Sequence, residues 1–222
     1  MKNKLLIIVL ASLLFPFLGK AKATSNDTIS ARRAFIEFDI DMLDLINKDL
    51  RLAMLNYYDI DSIPEFGNDF SGATRLRKLT PDFLDLQVSE SSSMQLKVLP
   101  LKNGSQILVS VYTVGEPGDL MESEIKFFDS NLKPLDSKKF FTEPPLSAFF
   151  SFPTGNKTTM KDIEQALPFS SIYYTLSADN NNIVGKLTIP DSMNVEDKKL
   201  VETLMRPQII MNWDGNKFSK NK

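Results

Sequence analysis

The stretch MQLKVLPLKNGSQILVSVYTVGEPGDLMESEIKFF (residues 94–128) decides the fold. Its apolar residues occupy every second position in three segments: Met94, Leu96 and Val98; Ile107, Val109 and Val111; Ile125 and Phe127. A period of two is typical of strands with one buried face. Asn103-Gly104 separates the first two segments and is a strong hairpin signal, because both residues tolerate positive φ. The stretch therefore predicts an antiparallel meander whose apolar residues share one face.

Helices and further strands are predicted on both sides of this meander. Residues 36–58 have the apolar spacing of an amphipathic helix, with a break near Asn47 as an alternative to one continuous helix. Thr158 or Thr159 is predicted to cap a short helix that runs through Leu167, and residues 196–205 are predicted to form another helix. Strands are predicted at 84–88, 172–177, 183–189 and 208–213; residues 24–33 and 63–72 are predicted as loose or loop segments, and 140–153 as an irregular linker. The fold class is α+β: a mostly antiparallel meander sheet with helices packed on one face.

The two halves of the chain share a plan. Each has a helix, a hairpin with an Asn-rich turn, and an aromatic-ended strand followed by an Asp turn, as in residues 125–131 and 210–216. One interpretation is two related helix-plus-hairpin subdomains, at 24–142 and 143–222, with the second packed on the first. The alternative is that such hairpins recur by chance in any antiparallel protein.

The absence of two residue types restricts the chemistry. The 222-residue chain has no cysteine and no histidine. It therefore lacks disulfides, thiol nucleophiles and Cys-type zinc sites, together with the commonest general base and metal ligand. We expect no cofactor, no metal site and no catalytic residue.

Residues 1–23 have the pattern of a secretory signal peptide. Lys2 and Lys4 precede an apolar run from Leu5 to Leu18, and Ala21-Lys22-Ala23 predicts cleavage between Ala23 and Thr24. The apolar run is too short for a spanning helix, which needs about 20 residues. We expect a periplasmic or extracellular protein with no membrane span after signal removal. Removal of four lysines leaves 22 basic against 28 acidic residues, an acidity that argues against nucleic acid as a partner.

Several clusters of acidic, Ser-Lys and aromatic residues are candidates for metal, catalytic or binding sites, but each has a simpler structural explanation. Asp39, Asp41 and Asp44 lack the Gly and Glu of an EF-hand, so a solvated helix start is favoured. The pair Asp59 and Asp61 and the run 179–182 are interpreted as turns. Ser137-Lys138 and Ser219-Lys220 are predicted in loop and tail, which disfavours a Ser-Lys hydrolase. The aromatic pairs at 127–128, 140–141, 149–150 and 173–174 fit core packing better than a carbohydrate or peptide groove.

Three triplets resemble a short Asp-Ser/Thr-apolar acceptor of periplasmic O-glycosylation. They place candidate modified hydroxyls at Thr28, Ser62 and Ser192. Three Asn-x-Ser/Thr sequons, at Asn26, Asn103 and Asn156, matter only in a host that glycosylates asparagine.

Four stretches together resemble a known family: residues 79–87, 94–101, 125–129 and 206–215. The family consists of small exported proteins of Gram-negative gut and oral anaerobes, catalogued as a domain of unknown function. The resemblance spans nearly the whole mature chain. It implies an exported, stand-alone protein and carries no assigned activity or functional residue.

The interpretation favoured by these observations is a non-enzymatic periplasmic or surface binding module, accessory to another envelope or extracellular protein. A glycan ligand stays open. One alternative is a structural envelope component without a discrete ligand. Another is a hydrolase that uses Asp and Glu side chains, which would require acids that converge in a pocket.

Overall fold

The structure is a computed structural model, and it describes residues 28–38, 46–67 and 72–220. The signal segment, the cleavage site and the Asp39, Asp41 and Asp44 cluster lie outside these ranges. The described residues form an α+β fold with four helices and eleven antiparallel strands.

The helices and strands follow one another in this order along the chain: α1 (Ala31–Glu37), α2 (Lys48–Tyr58), β1 (Phe66–Gly67), β2 (Ala73–Leu79), β3 (Phe83–Ser89), β4 (Ser92–Pro100), β5 (Gln106–Val114), β6 (Glu122–Phe128), β7 (Pro134–Leu135), α3 (Met160–Ala166), β8 (Ser171–Leu176), β9 (Asn182–Thr188), α4 (Val195–Leu204), β10 (Ile209–Trp213) and β11 (Phe218–Lys220). Strands β1 to β7 form a seven-stranded meander, and a second sheet has the order β11-β10-β9-β8.

The seven-stranded sheet is buried on both faces. On one face, the first two helices and the adjoining chain pack against strands β2 to β6. Their contacts include Phe35, Phe38 and Met54. On the other face, residues of β3 to β6 share a core with the four-stranded sheet, α3 and α4. The predicted α+β class and the predicted antiparallel meander are confirmed. Helices contribute to the cores on both faces of the large sheet, α1 and α2 on one side and α3 and α4 on the other.

The prediction that the alternating residues of the meander share one face is wrong. Val98 pairs with Leu108, so Met94, Leu96 and Val98 lie on the helix side of the sheet. Val111 pairs with Ile125, and these residues face the four-stranded sheet. The reason is the register of the β4–β5 hairpin, whose turn holds Gly104 at φ +83°. Because both faces are buried, both sets of alternating positions are apolar.

The short elements depart most from the predictions. Helix α1 begins at Ala31, capped by Ser30, within the segment predicted to be loose, and α2 begins after the Asn47 cap. Strand β2 was not predicted, because Arg75, Arg77 and Lys78 conceal the alternation of Thr74 and Leu76. Strands β1 and β11 were also not predicted, and β11 follows the predicted strand at 208–213.

The linker predicted at 140–153 is irregular, as expected, with a 3-10 turn at Leu146–Phe149. It crosses the shared core, where Phe149 and Phe150 are buried. The core on this face thus contains residues from both halves of the chain, and the subdomain boundary at residues 142 and 143 stays a prediction. Among the described residues, no helix has the length and apolar character needed to cross a membrane.

Candidate binding cleft between the two sheets

A cleft of about 630 Å³ lies where the two sheets meet. Its walls come from β6, from residues 137–143 and from β8. Ile125, Phe141 and Tyr174 form its apolar part, and Glu124, Lys138, Thr142 and Glu143 supply exposed polar groups. A volume of several hundred Å³ with an apolar lining and a few polar groups is typical of binding sites. We refer to it as the β6–β8 cleft.

One wall of the cleft is a strand edge that is only partly paired. Strand β7 pairs with Phe127 and Phe128 of β6 and with no other residue of that strand. Within the part of the chain that the structure describes, residues 122–126 therefore have a strand partner only on the β5 side. The Ser137 hydroxyl donates to the Ile125 carbonyl oxygen at 3.3 Å and covers part of this edge.

Aromatic packing fixes the second wall. The Phe140 ring stacks on Phe127 with 5.0 Å between ring centroids, and the Phe140 carbonyl oxygen accepts from the Phe218 N–H at 2.8 Å. Phe141 meets the Tyr174 ring edge-on, with 5.1 Å between centroids. These contacts hold the 137–143 segment beside β6 without regular secondary structure.

Strand β8 is held across the large sheet by side chains of that sheet. The N–H of Tyr174 donates to Ser123 Oγ at 2.9 Å, and the N–H of Leu176 donates to Gln95 Oε1 at 2.7 Å. Lys97 Nζ donates to the Ala178 carbonyl oxygen at 3.2 Å, just beyond β8. Strand β8 is the edge of the small sheet, and its outward backbone N–H groups are thus hydrogen-bonded by side chains on the face of the large sheet.

Tyr174 is the most constrained residue of the cleft. It is 2% exposed, and its ring lies over Gly185, where a Cβ would come within 2.9 Å of Tyr174 Cε1. Its hydroxyl is buried, with no hydrogen-bond partner among the described residues. Burial, and secondarily the negative charge of Glu143, raise the pKa of Tyr174 above its ordinary value. The phenol therefore stays neutral, and an unpaired buried hydroxyl is costly by about 1–3 kcal/mol.

The charged groups of the cleft are suited to recognition. Glu124 forms an ion pair with Lys126 at 2.9 Å, and the Glu124 side chain is 54% exposed. Glu143 also lines the cleft, so two carboxylates share it, as the hydrolase alternative requires. Ser137, beside Lys138, donates its hydroxyl to the Ile125 backbone carbonyl oxygen. Within the described ranges, no three Asp or Glu side chains come together as a metal site would need.

The structure does not bring the predicted modification sites together. Thr28 and Ser192 are exposed, whereas Ser62 is half-buried in the turn after α2. Asn103 and Asn156 are exposed, and Asn26, Ala23 and Thr24 lie outside the described residues. O-glycosylation and signal cleavage stay predictions.

The turns and aromatic pairs are largely as predicted. Asp59 and Asp61 lie in a turn, and Ser177 Oγ accepts from the N–H groups of Asp179 and Asn180 in the β8–β9 turn. Ser219-Lys220 belongs to strand β11, so its assignment to a tail was wrong, because pairing with Met211 and Asn212 extends the sheet. Of the eight paired aromatic residues, five are buried in the cores: Phe127, Phe128, Phe149, Phe150 and Tyr174.

The residues of the β6–β8 cleft were not recognised as a group from the sequence. Glu124, Glu143 and Tyr174 come from three segments that only the packing of the two sheets brings together. Core packing is the favoured interpretation of all four aromatic pairs, with a groove lining as the alternative, and Phe141 and Tyr174 do line the cleft.

The chain belongs to a family of unknown function. The sequence profile described as Protein of unknown function (DUF3256) matches residues 24–218. Among solved structures, a domain of an uncharacterized protein from Porphyromonas gingivalis W83 has a similar fold, with a TM-score of 0.70 and 19% sequence identity. That similarity covers 86% of this chain and 96% of the other. No curated protein matches the sequence significantly. These comparisons support the family resemblance and the fold, and they supply no activity.

Proposed function

We propose that this protein is a non-enzymatic binding module of the bacterial envelope, exported to the periplasm or the cell surface. Its partner is another envelope or extracellular protein, and an extended segment of that partner occupies the β6–β8 cleft. The observation that carries the proposal is the incompletely paired edge of β6. This edge borders a cleft that is partly lined by apolar side chains.

The direction of the backbone groups supports this mode of binding. The N–H of Asp129 bonds to the Lys133 carbonyl oxygen on the β7 side, and alternate residues of a strand present their polar groups to the same side. Ser123 and Ile125 therefore present their N–H groups to the unpaired side of β6. An extended peptide that adds to a strand edge gains main-chain hydrogen bonds, and adjacent pockets select its side chains.

The composition of the cleft supports a partner segment with both apolar and polar side chains. Ile125 and Phe141 would contact an apolar side chain, while Glu124, Lys138 and Glu143 surround the opening with both signs of charge.

A proline substitution tests the edge directly. In the variant Ile125→Pro, the lost N–H is the one that faces the unpaired side, so the ladder with β5 is kept. The variant Ile125→Val is the matched control, because valine has a similar volume and keeps the N–H. Tagged forms of the exported protein would be purified from envelopes, and the captured partner quantified by mass spectrometry.

We expect Ile125→Pro to recover about tenfold less partner than Ile125→Val, which corresponds to roughly 1.4 kcal/mol of lost hydrogen bonding. Circular dichroism of both variants establishes that they are folded. Equal recovery of one partner by the two folded variants would contradict binding at this edge.

A further inference from the structure

A second pocket, of about 610 Å³, lies at the end of α3. Its apolar residues include Val114, Leu120, Leu167 and Phe169. Phe169 is 72% exposed and Val114 is 45% exposed, so large apolar groups reach its rim. Exposed apolar surface concentrated at one concave place is typical of a contact with another molecule. We refer to it as the Phe169 pocket.

The charges that line the Phe169 pocket are all negative. Glu122 of β6 and Glu164 of α3 are both exposed, and the part of the chain that the structure describes places no lysine or arginine in the lining. No ion pair joins either carboxylate to a described residue. Two carboxylates beside an apolar depression complement a ligand that is both cationic and apolar.

The pocket is preformed, because its wall is tied to the small sheet. The N–H of Met121 donates to Thr188 Oγ1 at 3.2 Å, and the Ser171 hydroxyl donates to the Met121 carbonyl oxygen at 2.8 Å. The N–H of Asp191 donates to the Gly118 carbonyl oxygen at 3.0 Å. These bonds fix Leu120 and Glu122 in the pocket wall. A ligand would therefore bind with little rearrangement of the wall.

We propose that the Phe169 pocket binds a polypeptide segment of a partner in which an apolar anchor is flanked by lysine or arginine. The anchor packs against Phe169 and Leu167, and the flanking cations approach Glu122 and Glu164. This inference stands independently of the function proposed for the β6–β8 cleft, since it rests on different side chains and needs no strand pairing.

The test uses three capped pentapeptides that differ only in charge or anchor: Gly-Lys-Phe-Lys-Gly, Gly-Glu-Phe-Glu-Gly and Gly-Lys-Ala-Lys-Gly. Each is titrated into isotope-labelled exported protein and followed by amide chemical shifts. We expect the first peptide to bind most tightly and to shift amides of residues 120–122 and 164–171. Equal affinity for the acidic peptide, or shifts confined to other surfaces, would overturn the proposal.

Variants then assign the two parts of the pocket. The double variant Glu122→Gln, Glu164→Gln should weaken binding of the lysine peptide about fivefold, since solvent screens each exposed charge pair and keeps its contribution modest. Phe169→Ala should remove the preference for the phenylalanine anchor. Glu202→Gln on α4 is the matched control, as an exposed acid outside the pocket lining. If the double variant gives the amide spectrum of a folded protein and binds the lysine peptide with unchanged affinity, the proposed role of Glu122 and Glu164 is overturned.

Discussion

Lys97 of β4 is a buried cation that ties the large sheet to the segment after β8. It is 2% exposed, and its Nζ contacts Asp82 at 2.8 Å and the Ala178 carbonyl oxygen at 3.2 Å. The Nζ also lies 5.9 Å from the centroid of the Phe83 ring. Asp82, by contrast, is 49% exposed. A buried cation beside a solvated anion predicts that the two partners respond differently to substitution.

We expect Asp82→Ala to be more destabilising than Lys97→Met. The first leaves a buried ammonium without its counter-ion and should lower the free energy of unfolding by about 3 kcal/mol. The second leaves a carboxylate that water can solvate and fills the site with a side chain of similar length, for a loss of about 1 kcal/mol. Urea unfolding at neutral pH measures both losses. A larger loss for Lys97→Met would show that the link to Ala178, and not the ion pair, dominates.

The same ion pair predicts a dependence of stability on pH. Burial raises the pKa of Asp82, but hydrogen bonds from Lys97 and Thr80 and the Lys97 charge outweigh it, so the pKa is lowered overall. A lowered pKa in the folded state stabilises the protein above the unfolded-state value of about 3.9, and the contribution is lost as the pH falls through the folded-state pKa. The free energy of unfolding should decrease less between pH 7 and pH 3 in Lys97→Met than in the natural protein. Equal decreases in the two proteins would show that the Asp82–Lys97 pair does not cause the pH dependence.

At the scale of the element, α3 depends on one cap. Thr159 Oγ1 accepts from the Asp162 N–H, and the Asp162 carboxylate accepts from the Thr159 N–H at 2.7 Å, which forms a capping box. Thr159→Ala should therefore lower the free energy of unfolding by about 1 kcal/mol. Thr158→Ala is the control, since Thr158 precedes the cap. Thermal unfolding of the two variants distinguishes them, and equal shifts would contradict the assignment of Thr159 as the cap.

The elements predicted from sequence are those whose signals are local. Asn103-Gly104 identified the β4–β5 hairpin, and the Asp turn after Trp213 recurs in the structure: Asp214 accepts from the N–H of Asn216, as Asp129 does from Asn131. Strand β2 escaped prediction because only Thr74 and Leu76 are buried, and the cationic residues Arg75, Arg77 and Lys78 occupy the positions beside and after them. The sidedness of the meander also escaped, because hairpin register is set by pairing across strands.

At the scale of the whole molecule, the β6–β8 cleft could not be predicted because it forms only when the two sheets pack together. Its walls are set by the packing of β8 across the face of the large sheet, through Ser123 and Gln95. Neither residue differs from an ordinary polar strand residue in the sequence. Long-range packing of this kind has no periodic signal.

The shared core predicts that the two sheets unfold together. Phe127 of β6 lies 6.3 Å from Phe218 of β11, between ring centroids, so the core crosses the predicted boundary at residues 142 and 143. Trp213, the only tryptophan, packs against Phe218 at 5.1 Å and reports on the small sheet. Urea midpoints from Trp213 fluorescence and from far-ultraviolet circular dichroism should coincide. Separate midpoints would indicate two independently stable subdomains.

The claim that the β6–β8 cleft receives a partner protein is tested most directly by site-specific photocrosslinking in living cells. A photoreactive benzoyl-phenylalanine would replace Thr142 at the exposed rim of the cleft, and Glu202 on α4 would be replaced in a control protein. We predict one discrete crosslinked envelope protein from position 142 and none from position 202. The same products from both positions, or none from position 142 in correctly exported protein, would contradict the account.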